Sequence, residues 1–257
     1  MSLHRLLTLL MLFLLTAQGC ALLPRKPVLV PPAGPVSPAA LALYAELKAR
    51  NQDIQSLKAI GDIRLETTKG TRVAHIAFTV LRPDKMRMTI MAISGVTVAD
   101  VATDGATLTM IDHEQGGFYR EDMRERDLSR LLDLPVRPAE VIAIVCGVMP
   151  SVNPGTMSLT GPDGDHLLQL TLFDESGKPT LQVRYDPDQH RIREIVVFKA
   201  NGDTAYRVSI ERETAIDGHS IPARINFSDD SGHSFRLTID NAWINPGAAE
   251  HIFVLQP

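Results

Sequence analysis

Few residues of this chain are spaced for covalent chemistry. Asp186, Asp188 and His190 crowd into "DPDQH", which would hold a cation weakly; between two alternating runs the same letters make a solvated hairpin turn. Glu211 and Glu213 are the nearest approach to the carboxylate pair of acid–base catalysis, but two apart on a strand they share one face, expected to be its wet one. Cys146 lies in the apolar run "VIAIVCGV" with no histidine beside it, and reads as a small buried hydrophobe rather than a nucleophile. The eight histidines are scattered without HExxH, there is no CxxC and no glycine-rich phosphate loop, and "AISGV" lacks the first glycine of GxSxG. The expectation is a non-enzyme with no catalytic residue, no metal site and no cofactor.

The other cysteine, Cys20, has a clearer use. Met1 to Arg5 is short and carries one fixed charge, Leu6 to Leu15 is almost wholly large and apolar, and the small residues Ala17 and Gly19 follow. A ten-residue apolar helix reaches only ~15 Å, half of a ~30 Å hydrocarbon core, so the pattern is a signal peptide and not a membrane span. "AQGC" resembles a bacterial lipobox, with Ala17 where leucine is usual. Residues 1–19 are then the signal, and Cys20 becomes the mature N-terminus, carrying a diacylglycerol on sulfur and an acyl chain on its amine. Lipidation also removes a thiol that would be a hazard in an oxidising compartment, and several acyl chains make release negligible.

Net charge is −4 for the whole chain, and removing the signal takes away Arg5 and no acid, leaving −5. That disfavours a nucleic-acid partner and a polybasic membrane contact. Residues 20–37, with prolines from Pro24 to Pro35, exclude helix and make a tether. Seventeen residues beyond Cys20, at ~3.1 Å each, would span on the order of 50 Å if extended. Residues 38–257 form a single expected domain.

What the domain must position follows from its periodicity. Ser37-Pro38 starts a helix over roughly 38–51, with Leu41, Leu43, Tyr44 and Leu47 at helical intervals. From Ser56 the period becomes two. "SLKAIGDIRLET", "RVAHIAFTVL", "KMRMTIMA", "VTVADVAT" and "TLTMID" read as strands, the last two joined by Asp104-Gly105. Six further alternating runs lie between "LLQLTLF" and "SFRLTID". "DMRERDLSRLLDL" has helical character, and a helix apolar on all sides fits 138–146. The expected fold is mainly β: a curved antiparallel sheet with its helices against the concave apolar face. Met86, Met88, Met91 and Met110 concentrate in the third to fifth strands. Methionine adapts to varied partners, so the expected ligand-facing set is Ile76, Phe78, Met86, Met88, Ile90 and Met110; ordinary core packing is the alternative.

"RPDKMRM", "ISGVTVADVATDGATLTMID", "LLDLPVRPAEVIAIVCGVMP" and "SGHSFRLTIDNAW", in this order and spacing, resemble the LolB-like outer-membrane lipoproteins of the LolA/LolB-like superfamily. The resemblance covers most of the mature chain. It implies an incomplete barrel of about eleven strands with helices plugging its mouth, and an apolar interior that takes up acyl chains. It implies partners as well: lipoproteins delivered by a soluble periplasmic carrier, and the outer membrane, entered on its periplasmic face. In that family a protruding leucine before a glycine serves insertion; here Gly95 fits, Ser94 stands in the leucine's place, and Ile93 is adjacent. Ala21 is not the aspartate that retains lipoproteins in the inner membrane. The ending "INPGAAEHIFVLQP" runs past the family pattern and suggests a separate branch. Two readings stand: an anchored acceptor of acyl chains or lipoproteins, and a structural lipoprotein whose interior is filled by its own side chains.

Overall fold

The computed structural model describes residues 29–67, 70–123 and 127–256. The segment expected to be a signal peptide and lipobox, with Cys20, lies outside the described residues. Residues 31–256 contain the whole core, from Ala40 to Leu255.

Helix α1 (Pro38–Ala49) begins where expected: Ser37 Oγ accepts the Ala40 amide at 3.2 Å and Pro38 supplies the first helical φ. It buries Ala40, Leu43 and Leu47. Six strands follow in a meander: β1 (Ser56–Thr67), β2 (Gly70–Leu81), β3 (Lys85–Met91), β4 (Thr97–Thr103), β5 (Thr107–Asp112) and β6 (Gly117–Asp122). After two helices a second meander runs through β7 (Thr156–Thr160), β8 (Leu168–Phe173), β9 (Pro179–Asp186), β10 (Arg191–Phe198), β11 (Thr204–Ile216), β12 (His219–Ser228) and β13 (Ser234–Ile244). The two meanders join where β13 pairs with β1, Ala59 opposite Ala242 and Ile63 opposite Leu237. The result is one 13-stranded antiparallel sheet, ordered β6-β5-β4-β3-β2-β1-β13-β12-β11-β10-β9-β8-β7 and not closed into a barrel.

Thirteen strands replace the expected eleven or so. The two additions are the edges. "GFYRED" and "TMSLT" are short and only weakly alternating, because an edge strand has a neighbour on one side and less apolar surface to hide.

Between the edges, the segment "DMRERDLSRLLDL" (122–134), of which 124–126 lie outside the described residues, holds α2 (Ser129–Leu132), ended by Asp133 in the left-handed region at φ 56°. Helix α3 (Pro138–Val145) is capped by the Glu140 carboxylate, which accepts the Arg137 amide at 2.8 Å. Val141, Ile142, Ile144 and Val145 are all buried, as a helix apolar all round requires, and α3 lies against β3 and β12 on the concave face. The chain end crosses to the outer face of β3–β5. A 3₁₀ turn (Glu250–Phe253) brings Glu250 to Lys85 and the Ile252 carbonyl to Arg87, and buries Phe253 and Leu255. Val36, within the segment expected to be a tether, packs on the core.

Candidate functional site

The sheet registers place all six expected ligand-facing residues on one face. Phe78 lies opposite Met88, Met88 opposite Val101, Val101 opposite Met110, and Met110 opposite Tyr119. Ile76 and Ile90 form the next row toward one rim, and Val80 and Met86 the next toward the other. Met91 pairs with His75 beyond a bulge and belongs to the opposite face, so the methionine cluster is three, not four.

The row is not uniformly filled. Ile76, Phe78 and Met86 are 1%, 3% and 6% exposed and belong to the core that α1 and α3 complete. Met88, Ile90 and Met110 are half-buried at its margin, and Tyr119 at the end of the row is 51% exposed. At that end a groove of about 530 Å³ opens between β5, β6 and α2, with Leu108, Met110, Tyr119 and Leu131 as its apolar lining. Arg120, Glu121, Asp122 and Arg130, the last held to Glu121 at 3.1 Å, form the other, charged half of its lining. The volume lies within the ~300–1,000 Å³ typical of small-molecule sites. The interior is therefore self-filled under α3 and open toward β6.

A second feature lies on one rim. The β3–β4 turn is held by the Gly95 amide donating to the Ala92 carbonyl and the Ala92 amide donating to Val96, both at 2.8 Å. Gly95 takes φ 86°, a left-handed conformation that suits glycine. This geometry turns Ile93 and Val96 outward, 71% and 64% exposed. The base of the hairpin is stiff. Asp100 accepts Thr89 Oγ1 at 2.7 Å, His113 Nε2 at 3.0 Å and Arg87 at 3.2 Å. Burial alone would push the Asp100 carboxyl up; these hydrogen bonds and the Arg87 charge outweigh it and hold the pKa below the usual range.

The polar candidates disperse. Asp186 is taken up by Arg193 at 2.8 Å and the Gln189 amide at 3.0 Å, while His190 faces Tyr185 at 3.1 Å, so "DPDQH" does not converge on one point. The expectation that Glu211 and Glu213 share a wet face is corrected. Bulges on either side of Arg212 break the alternation. The Glu213 side chain is 5% exposed, bound to Arg50 through both oxygens at 2.9 Å and to Ser220 Oγ at 2.6 Å, while Glu211 sits outside near Arg236. Sequence reading missed this clamp, because the bulge that turns Glu213 inward leaves no local signature. A second, polar cleft of about 390 Å³ opens nearby, where β12 and β13 separate beyond the Arg224–Thr238 pair. Cys146 is buried in the core, and burial pushes its thiol pKa up to about 12, so it is inert at neutral pH. Tyr206, wholly buried, has its phenol raised chiefly by burial and then by the Glu140 charge.

The fold is LolA/LolB-like. Three solved structures align over most of the chain. One is a Vibrio parahaemolyticus domain described as an outer membrane lipoprotein-sorting protein (12% identity, TM-score 0.57, 83% of this chain and 95% of that one). Another is a DUF1329 family protein from Desulfovibrio piger (11%, 0.59, 84% and 96%). The third is a LolA superfamily protein from Nitrosomonas europaea (14%, 0.53, 84% and 97%). At such identities the likeness is one of fold. No family model matches the chain, and no curated protein matches it in sequence. Among the described residues, no helix is long and apolar enough to cross a membrane.

Proposed function

We propose that this protein is an envelope lipoprotein that receives acyl chains, alone or as part of lipoproteins, along the apolar wall (Leu108, Met110, Tyr119 and Leu131) of the groove at the β5–β6 side of its sheet. The observation that supports this most is the continuous apolar row from Phe78 through Met88 and Met110, which leaves the packed core and ends in an open groove of about 530 Å³. Transfer is non-covalent. Apolar walls shield the chain from water at about 25 cal/mol per Å² of buried area, and Met88 and Met110 adapt their shape to it. Cys20, with its diacylglycerol and N-acyl chain, keeps the groove beside the outer membrane, and a soluble periplasmic carrier is the donor. Ile93 and Val96, at the tip of a stiff hairpin, are the contact with lipid; Ser94 replaces the family's leucine, and Ile93 takes its part.

The test uses residues 21–257, which retain every core contact. Native mass spectrometry before and after organic extraction is expected to show a bound lipid that is lost and then regained on mixing with palmitate. Met88→Lys is expected to abolish uptake while circular dichroism stays unchanged; a folded variant that still takes up palmitate removes Met88 from the site.

The second reading, a structural lipoprotein that carries no ligand, is favoured by α3, whose Ile142 and Ile144 are 0% and 1% exposed and fill the interior beneath it. A mass without lipid before and after mixing selects it.

A further inference from the structure

The second meander parts from the first at one end of their junction. Strand β12 pairs with β13 only from Arg224–Thr238 to Ser228–Ser234. Beyond that, β12 stays with β11 as far as His219, and β13 stays with β1 as far as Ile244, so no ladder joins them. The polar cleft of about 390 Å³ opens in this split. Asn241 in its wall lies opposite Ile60, whose neighbour Ala59 lies opposite Phe78. Asn241 and the apolar row therefore stand on opposite faces of the sheet.

A bulge flanks the split on either side. Arg212 stands between two register shifts on β11, and Asp240 is the residue left unpaired where β13 passes Gly61. Bulges re-aim side chains, and these two residues line the same cleft from opposite walls. Both are exposed, and among the described residues neither side chain has an ion pair or hydrogen bond, with the other or with any group. Arg224, directly opposite Arg212 on β12, is exposed and unpaired in the same way. Nearby arginines are not left so: Glu66 holds Arg64 at 2.8 Å, and Glu211 lies 3.5 Å from Arg236. Glu213, the other carboxylate of the cleft, is already neutralised by Arg50. Like charges directly opposite on neighbouring strands repel, and an anion between two guanidinium groups turns that repulsion into charge-assisted hydrogen bonds. The free carboxylate on the facing wall calls for a cation as well.

We propose that this cleft binds a phosphoethanolamine group, with its phosphate at Arg212 and Arg224 and its ammonium at Asp240.

Each part of that ligand answers a feature of the site. Planar guanidinium groups take phosphate oxygens in pairs. A simple anion would leave Asp240 facing it, and a simple cation would leave two arginines so. Arg212 and Asp240 do not reach each other, so the ligand's charges must be set apart. An α-amino acid carries both charges about one carbon, whereas phosphoethanolamine holds them across an ethylene spacer. Thr214 and Asn241 add neutral hydrogen-bonding groups to the lining. The same group occurs free and as the head of a phospholipid. Trp243, the one tryptophan of the chain, lies two residues beyond Asn241 on the same strand and is 47% exposed. An indole with one wet end suits the headgroup layer of a membrane. Nothing in this site depends on the acyl-chain reading.

The experiment uses residues 21–257, which keep the cleft and lack Cys20. Phosphoethanolamine is expected to bind saturably in isothermal titration and to shift the Trp243 fluorescence. Inorganic phosphate, ethanolamine and glycine are each expected to bind at least about tenfold more weakly. Arg212→Gln is expected to weaken phosphoethanolamine and phosphate alike, by about tenfold or more. Asp240→Asn removes only the partner of the ammonium, and is expected to bring phosphoethanolamine down to the level of phosphate. Both positions are exposed, so the denaturant midpoint is expected to stay in place in each variant. In flotation, vesicles of phosphatidylcholine with phosphatidylethanolamine are expected to carry more protein than phosphatidylcholine alone, whose trimethylated ammonium cannot donate to Asp240. Binding of the free compound, of the vesicles or of both, lost in Asp240→Asn, upholds the site and tells a soluble ligand from a headgroup. Absence of binding in both arms, phosphate or glycine bound as tightly, or affinity unmoved by Asp240→Asn overturns it.

Discussion

Gly61 shows how much a single residue carries here. It sits at the bulge where β1 crosses from one meander to the other, and a Cβ there would lie 1.9 Å from the Thr238 carbonyl oxygen. Backbone cannot yield as a side-chain tip can. Gly61→Ala is therefore expected to destabilise the protein by roughly 3 kcal/mol or more, read as a fall in the denaturant midpoint at unchanged slope. Two histidines set the pH response. Hydrogen bonds to Asp53 and Asp229 raise the pKa values of His219 and His233, and both aspartates are lowered in turn. A raised histidine stabilises fully below its unfolded value, about 6.5, and that contribution is lost as pH rises through the folded value. The lowered aspartates act at the other end, losing theirs as pH falls below about 4. Stability is thus expected to decline between about pH 6 and 8, and less so in His233→Gln, whose pair with Asp229 is the better shielded one, when unfolding is followed at several pH values. Asp53 is largely exposed, so its pair is screened by solvent and contributes little.

At the scale of elements, α1 is fastened to the sheet by a nearly buried ion pair, Arg50 at 16% and Glu213 at 5% exposure. Removing one partner leaves the other charged and shielded from water. Arg50→Ala is expected to cost about 3 kcal/mol, whereas replacing both residues by methionine costs much less; paired denaturation curves separate the two. The C-terminal strap is a second such fastening, held by Phe253 and Leu255 on the outer face of β3–β5. Phe253→Ala is expected to lower stability by about 3 kcal/mol and to raise hydrogen exchange in β3–β5 before the rest of the sheet. Most elements were legible beforehand. The alternation in β1 is so regular that its ends, Ser56 and Thr67, match the quoted run, and α3 ends one residue short of the expected 146. Of "DMRERDLSRLLDL", expected to have helical character, the described part is helical over four residues, ended where Asp133 turns left-handed. The edges β6 and β7 went unseen for want of alternation.

For the whole molecule, the question was whether the concave face is empty or filled, and the answer is divided. Helix α3 fills the half beneath it, while the margin at Met88, Ile90 and Met110 stays half-buried. The six ligand candidates share one face, because period two puts every second residue of a strand on the same side. Their division into three core and three marginal residues was not legible, since it depends on where a helix that lies well beyond them in the chain comes to rest. The sequence by itself determined local matters: strand and turn positions, the apolar helix, the absence of clustered reactive groups and the signal-like start. Only the tertiary structure decided that β13 closes on β1 and that a bulge turns Glu213 inward to meet Arg50. The physical reason is range. Propensity and periodicity act over a few residues, whereas pairing partners, bulge directions and groove walls are set by contacts between segments far apart in the chain.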